Sequence, residues 1–187
     1  MLHRDKEFNK LDYSNQTMPA DEYEGCTFLN CDFSNAVLLH CTFDSCTFVS
    51  CNMSMANLAN AAFRDVEFKE CKMLGLQFAD CSEFGLSFSF HHCTLNHSSF
   101  YKTKLRKIVF KNSQLHETDF GECDITSSLF DNCDLMGAIF NQTIMEKSDF
   151  RTSYNYSINP EENRIRGAKF SLQGVVGLLG KYKIIIE

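Results

Sequence analysis

The chain of 187 residues contains no tryptophan, so its 18 phenylalanines and six tyrosines make up all of its aromatic content. It has no apolar run long enough to cross a membrane. Its opening residues, MLHRDKEF, lack the apolar stretch of a signal peptide. Positive charge is also short. Eighteen Lys and Arg stand against 24 Asp and Glu, a net charge of -6. That argues against direct nucleic-acid binding and permits a basic protein partner. No Ser-His-Asp spacing, phosphate loop or paired-acid geometry is present, so neither an enzyme, nor catalytic residues, nor a cofactor is expected. The two common periods are missing as well. Apolar residues follow neither the 3.6 spacing of a helix nor the alternation of a strand.

What is there instead is a period of five. From Phe8 in steps of five come Tyr13, Met18, Tyr23, Phe28, Phe33, Leu38, Phe43, Phe48, Met53, Leu58, Phe63, Phe68, Met73 and Phe78. Glu83 breaks the series and Phe88 restores it. After a shift of two it runs from Leu95 through Phe100, Leu105, Phe110 and onward to Phe150. Fifteen of the 18 phenylalanines fall on this grid, which makes them core rather than binding surface. Self-similarity at a fixed period marks a repeat protein.

The ten cysteines obey the same grid. Each of Cys26, Cys31, Cys41, Cys46, Cys51, Cys71, Cys81, Cys93, Cys123 and Cys133 lies two residues before a grid position. Ala36, Ala56, Ala61, Ser98, Ser113, Ser128, Ala138 and Ser148 fill the same slot elsewhere. Cysteine therefore serves as a small buried side chain, with free thiols suited to a reducing, cytoplasmic compartment. His91-His92-Cys93 lacks the paired spacing of a zinc site and falls where the repeat slips, so no metal is expected.

One large and one small inward residue per five suit a coil with four short sides of five residues. Coils of about twenty residues then stack at about 4.8 Å with backbone bonds between them. Phe8 to Phe150 gives roughly seven coils and a rod about 35 Å long. In the second half Phe alternates with Leu, Ile or Met, which places Phe on two opposite sides. The slip between Phe78 and Leu95 admits two readings. Phe88 stays on the grid, with a two-residue bulge in Ser89 to His92 and Glu83 turned outward. Alternatively Phe84 and Phe90 take the grid positions and Phe88 enters a small slot. The first is preferred.

After Phe150 the pattern ends, which divides the chain into a solenoid, 1–153, and a C-terminal segment, 154–187. Asn159-Pro160-Glu161-Glu162 reads as a helix start, with the helix ending near Gly167. Ser171 caps a second helix, Leu172 to Leu179, and Lys181 to Glu187 reads as a strand. An open solenoid end needs a cover. Leu178, Leu179, Tyr182, Ile184, Ile185 and Ile186 are apolar enough to make that cover a homodimer contact.

Triplets such as Cys26-Thr27-Phe28, Cys31-Asp32-Phe33, Ala56-Asn57-Leu58 and Cys133-Asp134-Leu135 resemble the pentapeptide-repeat family over residues 8 to 150. The resemblance implies an all-β, right-handed quadrilateral β-helix with a short helix and strand tail. The early grid from Phe8, the segment Phe84-Gly85-Leu86-Ser87-Phe88 and the tail from Ile158 to Asn163 resemble the Qnr-like branch, the quinolone-resistance and gyrase-poison immunity proteins. That narrower likeness implies a homodimer that binds DNA gyrase or topoisomerase IV, shields it from inhibitors, and presents an acidic surface resembling DNA. The alternative is an interaction or scaffold module for another partner. Candidate contact acids are Glu22, Glu24, Asp44, Asp119, Asp124, Asp131, Asp134 and Glu146. Glu22, Glu24, Asp44, Asp124 and Glu146 share one side with Arg64, Lys104 and Arg106. The chain differs from Qnr-like proteins in having about two inserted residues where they have sizeable loops.

Overall fold

One residue in five sits in the left-handed region of backbone space, and this sets the corner of every side. It lies two places after the grid residue: Asn30 (φ 53°), Asn35 (φ 54°), Asn60 (φ 55°), Asn112 (φ 50°) and Asn132 (φ 52°) are examples. Asparagine tolerates this conformation, which explains its frequency at the corners. Between corners the backbone is extended, and four extended sides close one coil.

The computed structural model describes residues 1–186. Its strands are β1 (Leu2–Arg4), β2 (Glu7–Asn9), β3 (Glu22–Glu24), β4 (Thr27–Leu29), β5 (Thr42–Asp44), β6 (Thr47–Val49), β7 (Ala62–Arg64), β8 (Val66–Lys69), β9 (Phe88–His91), β10 (Val109–Lys111) and β11 (Leu129–Asp131). All their pairings are parallel. The first side holds the sheet β1-β3-β5-β7 and the second holds β2-β4-β6-β8-β9-β10-β11. The third and fourth sides are held by single parallel bridges such as Asp12↔Asp32↔Asn52↔Lys72 and Thr17↔Val37↔Asn57. The fold is therefore the expected all-β quadrilateral β-helix.

Grid residues of successive coils stack directly on one another. Phe8, Phe28, Phe48 and Phe68 run up the second side with ring centroids 4.7 to 5.1 Å apart. Phe90, Phe110, Phe130 and Phe150 continue it at 4.5 to 5.3 Å. Phe78, Phe100, Phe120 and Phe140 form a second column on the opposite, fourth side. The two columns meet edge to face, as in Phe110–Phe120 at 5.9 Å and 84°. This is the alternation of large and smaller side chains the sequence implies, and it favours both stacked and T-shaped ring contacts.

The small slot does more than save space. Cys46 Sγ donates to Tyr23 O at 3.3 Å, Cys51 Sγ to Phe28 O at 3.3 Å, and Cys71 Sγ to Phe48 O at 3.4 Å. Ser98, Ser128 and Ser153 make the same bond, to Met73 O, Leu105 O and Phe130 O. The acceptor is each time a grid carbonyl of the preceding coil, and of those named Leu105 O also accepts the Ile108 N–H. All ten cysteines are free and buried.

The slip resolves differently from the preferred reading. Phe90, not Phe88, is on the grid: β9 pairs Phe90 with Phe68, and β10 pairs it with Phe110. Phe88 pairs with Val66 in a small-slot position. The two extra residues lie before β9, in a loop from Ser82 to Ser87, and not in Ser89 to His92. Glu83 is exposed there, as expected. Phe84 is also outside, 79% exposed. Its ring sits under the Arg64 guanidinium, 5.4 Å from centroid to Cζ. Gly85 turns the loop at φ +74°, where an added Cβ would meet Arg64 Cδ at 3.3 Å.

The tail also departs from expectation. Residues 159–167 are not a helix but the next coil. Arg164 bridges Ile144 and Lys169 bridges Asp149, and Phe170 stacks on Phe150 at 5.5 Å. The solenoid thus runs past residue 153. The second segment is a short 3-10 helix, Gly174–Leu178, with Ser171 Oγ accepting from Gly174 N–H at 2.9 Å. A further 3-10 turn, Gly180–Tyr182, replaces the start of the expected strand, and Lys183 to Ile186 are irregular. That strand's last residue, Glu187, lies outside the described residues.

Candidate partner-binding surface

Residues flanking a grid position point outward, so the topology decides which acids share a side. The first side carries Glu22 and Glu24 around Tyr23, Asp44 after Phe43, Asp124 before Ile125 and Glu146 after Met145. The same side carries Arg4, Arg64, Lys104, Arg106 and Arg164. Three of these arginines close onto the acids one coil away. Arg4 Nη2 is 2.7 Å from Glu24, Arg106 Nε is 2.7 Å from Asp124, and Arg164 Nη2 is 2.7 Å from Glu146. Spacings of 18 and 20 residues carry this signal in the sequence, since that separation spans one coil.

Asp124 is not an open contact acid. It is 6% exposed, and it accepts from Thr126 N–H, Thr126 Oγ1–H and Arg106. Burial raises its pKa, but these bonds outweigh it and hold the carboxyl below its usual range. Asp124 is a structural residue that fixes a corner. Asp134 behaves similarly on the third side. It accepts from Asn155 at 2.8 Å, and His116 Nε2 lies 2.8 Å away. Asp119, on the fourth side, accepts from Gly121 N–H at 2.8 Å. Asp131, on the second, accepts from Thr152 Oγ1–H at 3.0 Å with Lys111 at 3.9 Å.

The eight candidate acids therefore do not form one patch. Among the described residues, Glu22 and Asp44 have no basic partner. With Glu24, Tyr23, Leu2 and Arg64 they line a shallow depression on the first side. This is where the open negative charge of the set gathers. Its acids belong to a stretch with no Lys or Arg between Lys10 and Arg64, and Arg64 itself lines the depression.

At the other end, the tail residues separate into two groups. Leu178 is buried against its own chain's core and is not available for a partner. Tyr182 Oη donates to Glu161 at 3.1 Å, and Lys181 pairs with the same carboxylate. These contacts pin the 3-10 turn to the last coil. Ile184, Ile185 and Ile186 remain exposed, Ile185 at 88%. Elsewhere at this end, Met136, Tyr154, Tyr156, Val176 and Gly177 line an open cleft of about 570 Å³. Tyr156 Oη is buried there without a hydrogen-bond partner among the described residues.

A family model described as "Pentapeptide repeat region" matches residues 22–89 and 86–155. The chain belongs to the pentapeptide-repeat family. Among solved structures its fold is similar to that of QnrB1, a plasmid-mediated fluoroquinolone resistance protein. A trypsin-treated variant of QnrB1 matches with a TM-score of 0.68 and 18% identity, covering 97% of this chain and 100% of that one. The full-length form matches with a TM-score of 0.65, 18% identity, and coverage of 98% and 100%. HetL of the cyanobacterium Nostoc, a pentapeptide repeat protein involved in heterocyst differentiation regulation, reaches a TM-score of 0.43 at 13% identity, with coverage of 93% and 86%. No curated protein matches in sequence. Among the described residues no helix is long and apolar enough to cross a membrane.

Proposed function

We propose that this protein binds a type II topoisomerase, DNA gyrase in the first place, and protects it from inhibitors such as quinolones without performing chemistry. The supporting observation is the end-to-end correspondence with QnrB1, which spans nearly the whole of both chains. A repeat rod with an apolar interior offers partners its sides rather than a cleft. The contact surface is the depression on the first side, where Glu22 and Asp44 are the open acids and Glu24 is paired with Arg4, facing a basic channel that ordinarily takes DNA. Asp119, Asp131, Asp134 and Glu146 add charge around the rod. Asp124 acts indirectly, by holding its corner.

The protein acts as a homodimer joined at the tail. Exposed Ile184, Ile185 and Ile186 lie at the same end as the apolar cleft around Tyr154 and Val176. A two-fold arrangement lets each copy cover the other's apolar surface. Ile185→Asp is expected to yield monomers by light scattering; a wild type that is monomeric at high micromolar concentration contradicts the dimer.

A scaffold role for another partner is favoured by one observation, the closure of Arg4, Arg106 and Arg164 onto the acids of the first side. A supercoiling assay separates the two readings. Added protein should restore gyrase activity in the presence of a quinolone. No binding to gyrase and no effect on the assay at low salt would leave the scaffold.

A further inference from the structure

The two-residue insertion opens the core at one level. Inward residues of the first side run Tyr23, Phe43, Phe63 and then Leu105, Ile125 and Met145. Between Phe63 and Leu105 no grid residue turns in. Leu86, half-buried, and Phe88, tilted against Phe63 at 5.6 Å and edge to face with Phe78 at 5.2 Å, fill that level only in part. A cavity of about 270 Å³ remains under the loop. Its floor is Phe78, Cys81 and Leu86, and its mouth is Glu83, Tyr101, Lys102 and Lys104.

We infer that this cavity is a binding site for a small amphiphilic anion, an aliphatic chain or ring ending in a carboxylate. The apolar floor suits the chain, because water there gains few hydrogen bonds and its release is favourable. The mouth suits the anion. Lys104 has no acidic partner among the described residues, and Lys102 Nζ is 3.6 Å from Glu122 and lies over the Tyr101 ring at 4.9 Å. Arg106 and Lys107 extend the same basic stretch. Glu83 stands on the loop side, so the head group sits toward Lys104. The acidic contact surface proposed above makes no use of this stretch, and the inference does not depend on the topoisomerase reading.

Cys81 is the one thiol that lines this cavity. At 6% exposed it is the most accessible thiol, the others being 2% or less.

The probe is octanoate, with octylammonium of the same chain length as the charge control. Octanoate is expected to bind by titration calorimetry with a dissociation constant of about 0.1–1 mM, as for a small ligand of ten heavy atoms. Octylammonium is expected not to bind. Lys104→Glu should weaken octanoate about tenfold, and Glu83→Gln should strengthen it. Both positions are on the surface, and circular dichroism would verify that the variants fold. Three results overturn the inference: no octanoate binding to folded wild type, equal binding of octylammonium, or octanoate binding that is unchanged in Lys104→Glu.

Discussion

At the scale of the residue, the repeat assigns each position a job, and the jobs differ in energetic weight. Phe130 is fully buried and stacks on Phe110 and Phe150. Phe130→Ala should cost about 3–5 kcal/mol, the transfer of a ring plus the cavity it leaves. Asp131, beside it, is outward and only weakly paired, so Asp131→Ala should change stability by less than about 1 kcal/mol. Denaturant titration of the two variants gives the comparison; equal losses contradict the inward assignment. The small slot makes a prediction about pH. Burial pushes the thiol of Cys41 up to about 11 and those of Cys46, Cys123 and Cys133 up to about 12. The folded state thus keeps these thiols protonated where the unfolded chain ionises them, near pH 8.5. Their contribution is complete below that pH and is lost as pH rises toward 11 to 12, because only the unfolded state releases protons. Ser113 and Ser153 stack one coil to either side of Cys133, so Cys133→Ser should keep the fold. Its stability should fall less steeply than wild type between pH 8.5 and 11. Parallel pH profiles for the two proteins would show that this thiol does not titrate as described.

At the scale of the element, the coil was legible and its irregularities were not. Period five, the paired small slot and the Asn-rich corners are all local, so the sequence displays them directly. The position of the slip is not legible in the sequence, because Phe84, Phe88 and Phe90 are chemically alike. Only pairing with Phe68 and Phe110 on neighbouring coils selects Phe90. The last coil reads as a helix in the sequence because Asn159-Pro160-Glu161-Glu162 has the composition of a helix start. Ile165 and Phe170 still fall on the five-residue count and would have revealed it. Asn163 anchors that coil in the small slot. Its Oδ1 accepts from Thr143 N–H at 2.8 Å, and its Nδ2 donates to Phe140 O at 3.0 Å and Asn159 O at 2.9 Å. Asn163→Ala orphans these buried backbone groups and should cost about 2–4 kcal/mol. Hydrogen exchange should show the loss first at Arg164 and Lys169, whose amides bond back to Thr143 and Ser148. Uniform loss along the whole rod would contradict this local anchoring.

At the scale of the whole molecule, charge is arranged in slabs along the rod axis. No Lys or Arg stands between Lys10 and Arg64, or between Lys111 and Lys147, while Lys102 to Lys111 is strongly basic. The candidate acids were legible in the sequence by side, but their pairing was not, because an ion pair depends on rotamers and on the coil above. The pairs nevertheless decide which acids a partner meets as open charge. Glu146 already holds Arg164, and reversing it mostly breaks an exposed pair worth about 1 kcal/mol or less. Glu22 and Asp44 hold no base, so their field reaches outward and can steer a basic channel toward the first side. Glu22→Lys with Asp44→Lys should therefore weaken gyrase binding about tenfold or more. Glu146→Lys should weaken it less, despite its place toward the tail, where the proposed dimer would join. Wild-type affinity should drop steeply between low and physiological salt, since exposed charges act over about 10 Å at 0.1 M ionic strength. The Glu22 and Asp44 double variant should have a shallower salt dependence. Surface plasmon resonance on immobilised gyrase across a salt series measures all three. If the double variant binds as tightly as wild type, with the same salt slope, the acidic depression is not the contact.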